Sequence, residues 1–250
     1  MAVSIKSARE IELMREAGKR LAHVHQELEA MIAPGISTWE IDAKGEKLIR
    51  DCGCIPNFLH YNGYPASICV SVNDEVVHGI PRKDRYLKKG DIVSLDAGLI
   101  YKGYHSDAAR THAVGKVSTE AQKLMDVTKQ SFFEGIKMAK EGQHLHDISR
   151  AIEEYVTPYG YGIVRDLVGH GIGTALHEDP QIPNYAQKRR GVRLQAGMTL
   201  AIEPMINAGT WQVRFLRDGW TVVTKDGSLS AHYENTILVT DGEPEILTLY

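Results

Sequence analysis

The chain has 250 residues, of which 43% are hydrophobic and 24% charged, and its net charge is −3 at pH 7. This composition is typical of a globular enzyme and gives no basic footprint for nucleic-acid binding. No apolar run has the length of a signal-peptide core or a membrane span, and Cys52, Cys54 and Cys69 form no disulfide framework. We expect one domain, residues 1–250, in a reducing cytoplasm and without membrane contact.

Two amphipathic helices are predicted at the start of the chain. The first begins at Ser7, where Glu10 completes a capping box, and ends before Pro34. The second begins near Ser37 and runs to about Asp51. Both helices place apolar residues at helical spacing, so each is expected to bury one face.

Extended structure is predicted next, over 67–78 and then as a β-hairpin over 90–110 with its turn at 101–104. Asp96 stands where the strand pattern favours an apolar residue, and Asp107 follows on the return strand. A buried, unpaired carboxylate is costly, and a cation between the strands would remove that cost. The alternative is that both acids face solvent on an edge strand. The hairpin alone does not decide between the two.

An internal repeat with an offset of 107 positions follows. A long helix is predicted from Thr119 to about Lys140, and a shorter one ends at Pro158, in the order of the first helix pair. We therefore predict two half-domains, 1–115 and 116–250. The offset relates Gly35 to Gly142, Ile41 to Ile148, Gly53 to Gly160, Gly90 to Gly197 and Asp96 to Glu203.

Four carboxylates are expected to converge. A pseudo-twofold axis relating the halves would bring Asp96 and Glu203 together, and the return strands add Asp107 and Glu234. Like charges this close cannot all ionise without positive charge among them, and no Lys or Arg lies in the apolar parts of these strands. A metal site is the economical interpretation, with two divalent ions rather than one.

Three of the histidines have a setting that favours function. His170 lies in a Gly-His-Gly-Ile-Gly segment, His177 follows seven residues later, and His78 ends an apolar strand. Glu178 and Asp179 are predicted to form a solvated turn or helix cap. The other histidines are interpreted as structural: His23, His25, His60, His105, His112, His144, His146 and His232.

These residues resemble a known family. The ordered set Asp96, Asp107, His170, Glu203 and Glu234, with Gly-His-Gly-Ile-Gly around the histidine and Ile-Glu-Pro-Met around the first glutamate, is similar to type I methionine aminopeptidases. The resemblance covers nearly the whole chain. It implies the pita-bread fold, an α/β arrangement of two pseudosymmetric halves with a central curved antiparallel sheet flanked by helices. It also implies removal of the N-terminal methionine, preferentially when the second residue is small.

The resemblance assigns the metal ligands. Asp96 would chelate one ion, Asp107 and Glu234 would bridge the pair, and His170 and Glu203 would complete the shell of the other ion. The two ions would be Co, Mn, Fe or Zn, a choice that the ligand types leave open. The family also implies a monovalent cation held by backbone carbonyls, here near Asn73, Glu75 and Ser230.

The resemblance also assigns the chemistry. A water between the metals would be the nucleophile, Glu203 the general base, His177 the donor to the oxyanion, and His78 a contact to the peptide. A thioether suits an apolar, adaptable lining. The methionine pocket would be formed by Phe58, Tyr61, Tyr64, Cys69, Leu176 and Trp220.

Three positions depart from the commonest family pattern. Leu176 replaces a frequent Phe and Phe58 a frequent Cys, and both changes are expected to retune the width of the pocket. Asn235 replaces the usual His after Glu234, which would loosen the orientation of that ligand without removing one.

The implied partners are peptides and nascent chains that begin with Met, with transient ribosome contact and a monomeric state. Two other interpretations stay open at this level. One is a proline-directed peptidase of the same fold, which usually carries an additional domain. The other is a non-catalytic binding module, which typically lacks several of the ligands.

Overall fold

The computed structural model describes residues 3–249, so residues 1, 2 and 250 of the predicted domain lie outside it. Within this range the helices follow the predicted order. None of them is both long enough and apolar enough to cross a bilayer. They are α1 (Ala8–Glu29), α2 (Thr38–Asp51), α3 (Thr119–Ile136) and α4 (Leu145–Val156).

The first two helices begin as predicted. The Ser7 side chain accepts a hydrogen bond from the amide of Glu10, and the Glu10 carboxylate accepts one from the amide of Ser7 at 2.8 Å. Ser37 and Glu40 form the same reciprocal capping box at the start of α2. Each box satisfies amide groups that the first helical turn leaves without partners.

The long helix of the second half begins at Thr119 as predicted but ends earlier. Ser118 caps it, because its hydroxyl accepts the amide of Ala121 at 3.1 Å, and Thr119 is the first helical residue. The helix ends at Ile136 rather than near Lys140. The chain turns there because Lys140 forms a β-bridge with Thr240.

The strands form one large sheet and two small ones, all antiparallel. They are β1 (Ile55–Pro56), β2 (Ile68–Val72), β3 (Glu75–Val77), β4 (Ile92–Tyr101), β5 (Tyr104–Ala113), β6 (Gly162–Ile163), β7 (Gly169–Gly171), β8 (Glu178–Ile182), β9 (Thr199–Ile202), β10 (Met205–Asn207), β11 (Val213–Phe215), β12 (Val222–Thr224), β13 (Ser230–His232), β14 (Glu234–Leu238) and β15 (Glu245–Ile246).

The large sheet interleaves the two halves of the chain. Its order is β1-β4-β5-β14-β9-β7-β8, with β2 also paired to β4 and β15 to β14. Strand β14, from the end of the chain, therefore lies between β5 from the first half and β9 from the second. The centre of the sheet is the place where segments distant in sequence become neighbours.

Each helix pair covers one half of the sheet. The first hydrophobic cluster joins α1 and α2 to β2 and β4, and the second joins α3 and α4 to β9 and β14. Burial of these apolar faces supplies the main stabilisation of the fold. Fully buried members are Leu21, Ile41, Ile68 and Leu95 in the first cluster and Leu124, Ile148, Leu200 and Ile237 in the second.

The 107-residue offset is visible in the backbone. The glycine pairs that it relates adopt nearly the same left-handed φ, for example 98° at Gly90 and 92° at Gly197. The amide of Gly35 donates to the carbonyl of Leu87 at 2.8 Å, and the amide of Gly142 donates to that of Leu194 at 2.9 Å. The division into half-domains at residue 115 stays a prediction.

A close contact ties α1 to the end of the chain. At Gly18 a Cβ atom would lie 2.1 Å from the carbonyl oxygen of Leu247. Alanine is the better helix former, but a backbone oxygen cannot move aside as a flexible side chain can. We expect Gly18→Ala to lower the free energy of unfolding by about 1–3 kcal/mol, measured by urea denaturation.

The matched control is Gly242→Ala, where the nearest atom to an added Cβ lies 3.9 Å away. This substitution is expected to change the free energy of unfolding by less than about 0.5 kcal/mol. Equal stability of the two variants would contradict the proposed packing of α1.

Candidate active site

The hairpin of β4 and β5 carries two acids on one face. Asp96 pairs with Ala109, and Gly98 pairs with Asp107, so the two acids are close neighbours in the register. Leu95 packs in the cluster beneath α1 and α2, so the next side chain, Asp96, faces away from the helices. Strand β4 is paired on both sides and Asp107 is only 5% exposed. The alternative interpretation, in which both acids face solvent on an edge strand, is therefore wrong.

The second half completes the cluster. Glu234 begins β14 opposite Ala109, and Glu203 directly follows β9. His170 lies on β7, next to β9. Its Nε2 atom is 3.9 Å from Asp107 Oδ2 and 3.7 Å from Glu203 Oε1. The strand order thus brings together all five residues that the sequence proposed as ligands.

The carboxylates lack sufficient protein partners. Asp96 Oδ1, Asp107 Oδ1 and Glu234 Oε1 are buried and accept no hydrogen bond from residues 3–249. Burial raises the pKa of all four carboxyl groups, that of Asp107 to about 7. Neighbouring acids add to the rise in pKa at Asp96, Glu203 and Glu234. Such a group of acids is stable in its ionised form only with positive charge among its oxygens.

A divalent metal fits this set of donors. Ligand atoms of Asp107, His170 and Glu234 lie within 4.8 Å of one another. Nδ1 of His170 donates a hydrogen bond to the carbonyl of Gly171 at 2.8 Å. The lone pair of Nε2 is therefore free and directed at the acids. Carboxylate and imidazole together suit Mn, Fe, Co and Zn.

Two further histidines stand beside the cluster. His177 lies against His170, with 4.3 Å between ring centroids, and its Nδ1 is 2.8 Å from the hydroxyl of Tyr61. Burial and the nearby His177 lower the pKa of His78 to about 4, and burial lowers that of His177. Both rings are therefore neutral near pH 7. His78 also adopts a φ of 58°, a strained conformation for a residue with a Cβ.

An apolar cavity of about 180 Å³ opens onto the acids. Tyr64 is fixed by donating to the carbonyl of Gly79 at 2.9 Å and packs edge-on against Trp220, 5.2 Å away. Gly98 leaves room for Phe58, whose ring lies 3.0 Å from the site of a Cβ there. All six predicted pocket residues line this cavity: Phe58, Tyr61, Tyr64, Cys69, Leu176 and Trp220.

Two residues at the site were not predicted from the sequence. Asn62 lines the cavity. His232, interpreted as structural, is 1% exposed, and its Nε2 lies 3.7 Å from Glu203 Oε2 and 4.0 Å from Glu234 Oε2. Neither of its ring nitrogens has a hydrogen-bond partner among the described residues. The alternation of side chains could have found it, because positions 232 and 234 share a face in an extended chain.

The predicted solvated turn at Glu178 is wrong. Glu178 begins β8, its side chain is 15% exposed, and it pairs with Lys6. Asp179 belongs to the same strand. The departure at Asn235 also has a structural account. Its Oδ1 accepts from Arg110 at 2.6 Å on the face opposite the acids, so this position is anchored without a histidine.

The segments that were predicted to hold a monovalent cation, around Asn73, Glu75 and Ser230, lie next to one another. The carbonyl of Asn73 accepts the amide of Ser230 at 2.8 Å, and the Glu75 carboxylate accepts the amide of Val72 at 2.7 Å. A cation at this place stays a prediction.

Comparison with known proteins agrees with this geometry. Residues 12–241 match the model of metallopeptidase family M24. A methionine aminopeptidase of Clostridium acetobutylicum is 53% identical over 99% of both chains. Methionine aminopeptidase 1 of Bacillus subtilis is 51% identical over 97% of this chain and 98% of its own.

Solved structures confirm the predicted pita-bread fold. The methionine aminopeptidase of Thermotoga maritima superposes with a TM-score of 0.97 at 46% identity, covering 100% of both chains. A Xaa-Pro dipeptidase of Bacillus anthracis superposes with a TM-score of 0.78 at 26% identity, covering 98% of this chain but 61% of its own. The chain therefore belongs to metallopeptidase family M24 and, within it, to the bacterial-type methionine aminopeptidases.

Proposed function

We propose that this protein is a metal-dependent exopeptidase that removes the N-terminal methionine from peptides and nascent chains. The observation that carries the proposal is the buried acid cluster with unpartnered oxygens at the floor of an apolar cavity. The identity of 53% to a methionine aminopeptidase supports the same activity. We propose a preference for a small second residue, because a large one would collide with the rim of the cavity.

Two divalent ions would be held by the five ligands. The residues that would hold them are Asp96, Asp107, His170, Glu203 and Glu234. Four carboxylates and an imidazole offer more donors than one ion needs, which supports the number two. Bound there, the ions would polarise the scissile carbonyl and lower the pKa of water.

The side chains around the ions would move the protons. Glu203 faces the cavity with its carboxylate and would take a proton from the attacking water and deliver it to the departing amine. The hydroxyl of Tyr61 lies 2.8 Å from Nδ1 of His177 and would donate to it, which would leave the proton of the neutral ring on Nε2. That N–H would stabilise the oxyanion of the tetrahedral state. His78, also neutral, would contact the peptide beyond the scissile bond.

The apolar cavity would select methionine. Its aromatic walls and Leu176 exclude water and enclose an unbranched side chain, and a thioether makes favourable contacts with aromatic rings. Phe58 and Leu176 would set its width. The end of the cavity at the acids would place the free amino group of the substrate beside Asp96, which limits cleavage to the first peptide bond.

Ribosome contact is proposed as transient. Nascent chains beginning with Met arise in the cytoplasm, so we propose that location. The monomeric state likewise stays a prediction.

Metal removal tests the proposed activity. We expect protein treated with a chelator to lose cleavage of Met-Ala-Ser by at least about 10³-fold and to regain it with Mn or Co, because the Lewis acid is lost and restored. Xaa-Pro peptides serve as the control. Cleavage restricted to Xaa-Pro peptides would favour the proline-directed alternative, and binding of one Mn per chain in calorimetry would overturn the pair of ions.

Substitution of the proposed base separates chemistry from metal binding. We expect Glu203→Gln to lower kcat by about 10²–10⁴-fold, since an amide accepts no proton. Atomic absorption measures how much metal the variant retains. Wild-type kcat in the variant would remove Glu203 from the mechanism.

Substitution of the proposed oxyanion donor tests the role of His177. We expect His177→Ala to lower kcat by about 10²-fold, with a smaller effect on KM, because the donor acts chiefly in the transition state. Tyr61→Phe keeps the imidazole of His177 but removes the hydroxyl next to its Nδ1, so a smaller loss of kcat is expected. A loss confined to KM in His177→Ala would assign the residue to ground-state binding instead.

A further inference from the structure

The loop that carries His177 has no regular secondary structure of its own. Residues 172–177 connect β7 to β8 and place Leu176 and His177 in the cavity. The ring of His177 is hydrogen-bonded to the hydroxyl of Tyr61 and lies against the ring of His170.

Backbone hydrogen bonds fix the start of the loop, where the amide of Ile172 donates to the carbonyl of Thr199 at 3.2 Å and the amide of His105 donates to that of Gly173 at 2.8 Å. The amides of Thr174 and Ala175 have a side-chain acceptor instead.

The carboxylate of Glu178 closes this loop from the other side. Its Oε1 accepts the amide of Thr174 at 2.8 Å and the amide of Ala175 at 3.2 Å. Glu178 is bonded covalently to His177, so the carboxylate ties the middle of the loop to its last residue. The opposite oxygen, Oε2, remains for a partner outside the loop.

That partner is the segment preceding α1. Lys6 Nζ lies 2.6 Å from Glu178 Oε2, and Ser4 Oγ donates to the same oxygen at 2.7 Å. The amide of Lys6 donates to the carbonyl of Gly197 at 2.8 Å, which fixes the segment on the protein. At Gly173 a Cβ would lie 2.5 Å from Lys6 Cε, so the loop and the lysine are in close contact.

The ion pair is shielded from water. The side chains of Lys6 and Glu178 are 5% and 15% exposed. Burial acts to raise the pKa of Glu178, but hydrogen bonds from Lys6 and Ser4 outweigh it and the pKa lies below its ordinary value. Removing one partner of a shielded pair leaves an uncompensated charge, so the loop would have to rearrange to hydrate it.

We propose that Lys6 is a positioning residue, which holds the loop 172–177 through Glu178 and thereby sets the place of His177 and Leu176 in the cavity. The inference rests on the proposed function, because the oxyanion role of His177 belongs to it. Lys6 touches neither the metal ligands nor the cavity wall, and its effect passes through Glu178.

Lys6→Met tests the proposal, since it keeps the length of the side chain and removes the charge. We expect kcat for Met-Ala-Ser to fall about tenfold, with KM changed less than twofold, because small displacements of a transition-state donor are costly. The matched control is Arg15→Met. It breaks another ion pair of the N-terminal region, Arg15 to Glu245 at 2.7 Å, which does not contact the loop, and kcat should stay unchanged.

Lys6→Met in a His177→Ala background shows whether the effect of Lys6 on kcat passes through His177. If Lys6 acts through His177, Lys6→Met lowers kcat by less than twofold there. An equal tenfold loss in both backgrounds would overturn the proposal, because it would indicate a general structural effect. If Lys6→Met does not fold, Glu178→Gln takes its place, since an amide keeps the acceptor for Thr174 and Ala175 and loses the charge.

Hydrogen exchange of the metal-free protein gives a readout that does not depend on activity. The amides of Thr174 and Ala175 should exchange at least about tenfold faster in Lys6→Met and at the wild-type rate in Arg15→Met. Unchanged exchange in Lys6→Met would overturn the inference. Failure of the proposed function would give a different result. The metal-loaded wild-type protein would then not cleave Met-peptides, whereas the difference in exchange between the two variants would remain.

Discussion

The structure depends on four carboxylates brought together inside an antiparallel sheet. Asp96, Asp107, Glu203 and Glu234 lie on adjacent strands or at their ends, with several oxygens that no described protein group satisfies. Desolvation and mutual repulsion oppose their ionisation. Without a cation, ionised acids therefore destabilise the folded chain, and a divalent cation removes this destabilisation. The rigid sheet and the two helix layers beneath it keep the acids together in spite of that repulsion.

The predicted internal repeat offers an account of how such a site is built. Turns that share a left-handed glycine recur 107 residues apart and close on equivalent carbonyls. Because the strands of the two halves interleave at the centre of the sheet, equivalent acids from each half become neighbours. Asp96 and Glu203, which the predicted offset of 107 positions relates, are both members of the cluster.

The proposed specificity of the site rests on irregular segments above the sheet. The register of the sheet fixes the acids. The loop with Leu176 and His177 is tied at its start by backbone hydrogen bonds, and beyond Gly173 it is contacted by two side chains, Tyr61 at the ring of His177 and Glu178 at the amides of Thr174 and Ala175. Glu178 in turn depends on Lys6, at the start of the chain. The proposed methionine pocket thus joins elements from nearly the full length of the protein.

The sequence by itself determined the local elements and the acids. Capping boxes, the hairpin and the 107-residue offset are encoded by residues a few positions apart or by direct repetition, so the five ligands and the pocket could be proposed from pattern and resemblance. Only the tertiary structure decided the places of His232 and Glu178. The pairing of Lys6 with Glu178 joins residues 172 positions apart, and His232 meets Glu203 across strands that the chain order does not make adjacent. The alternation of side chains relates His232 only to Glu234, whereas its contact with Glu203 and the pairing of Glu178 with Lys6 follow from the packing of distant segments.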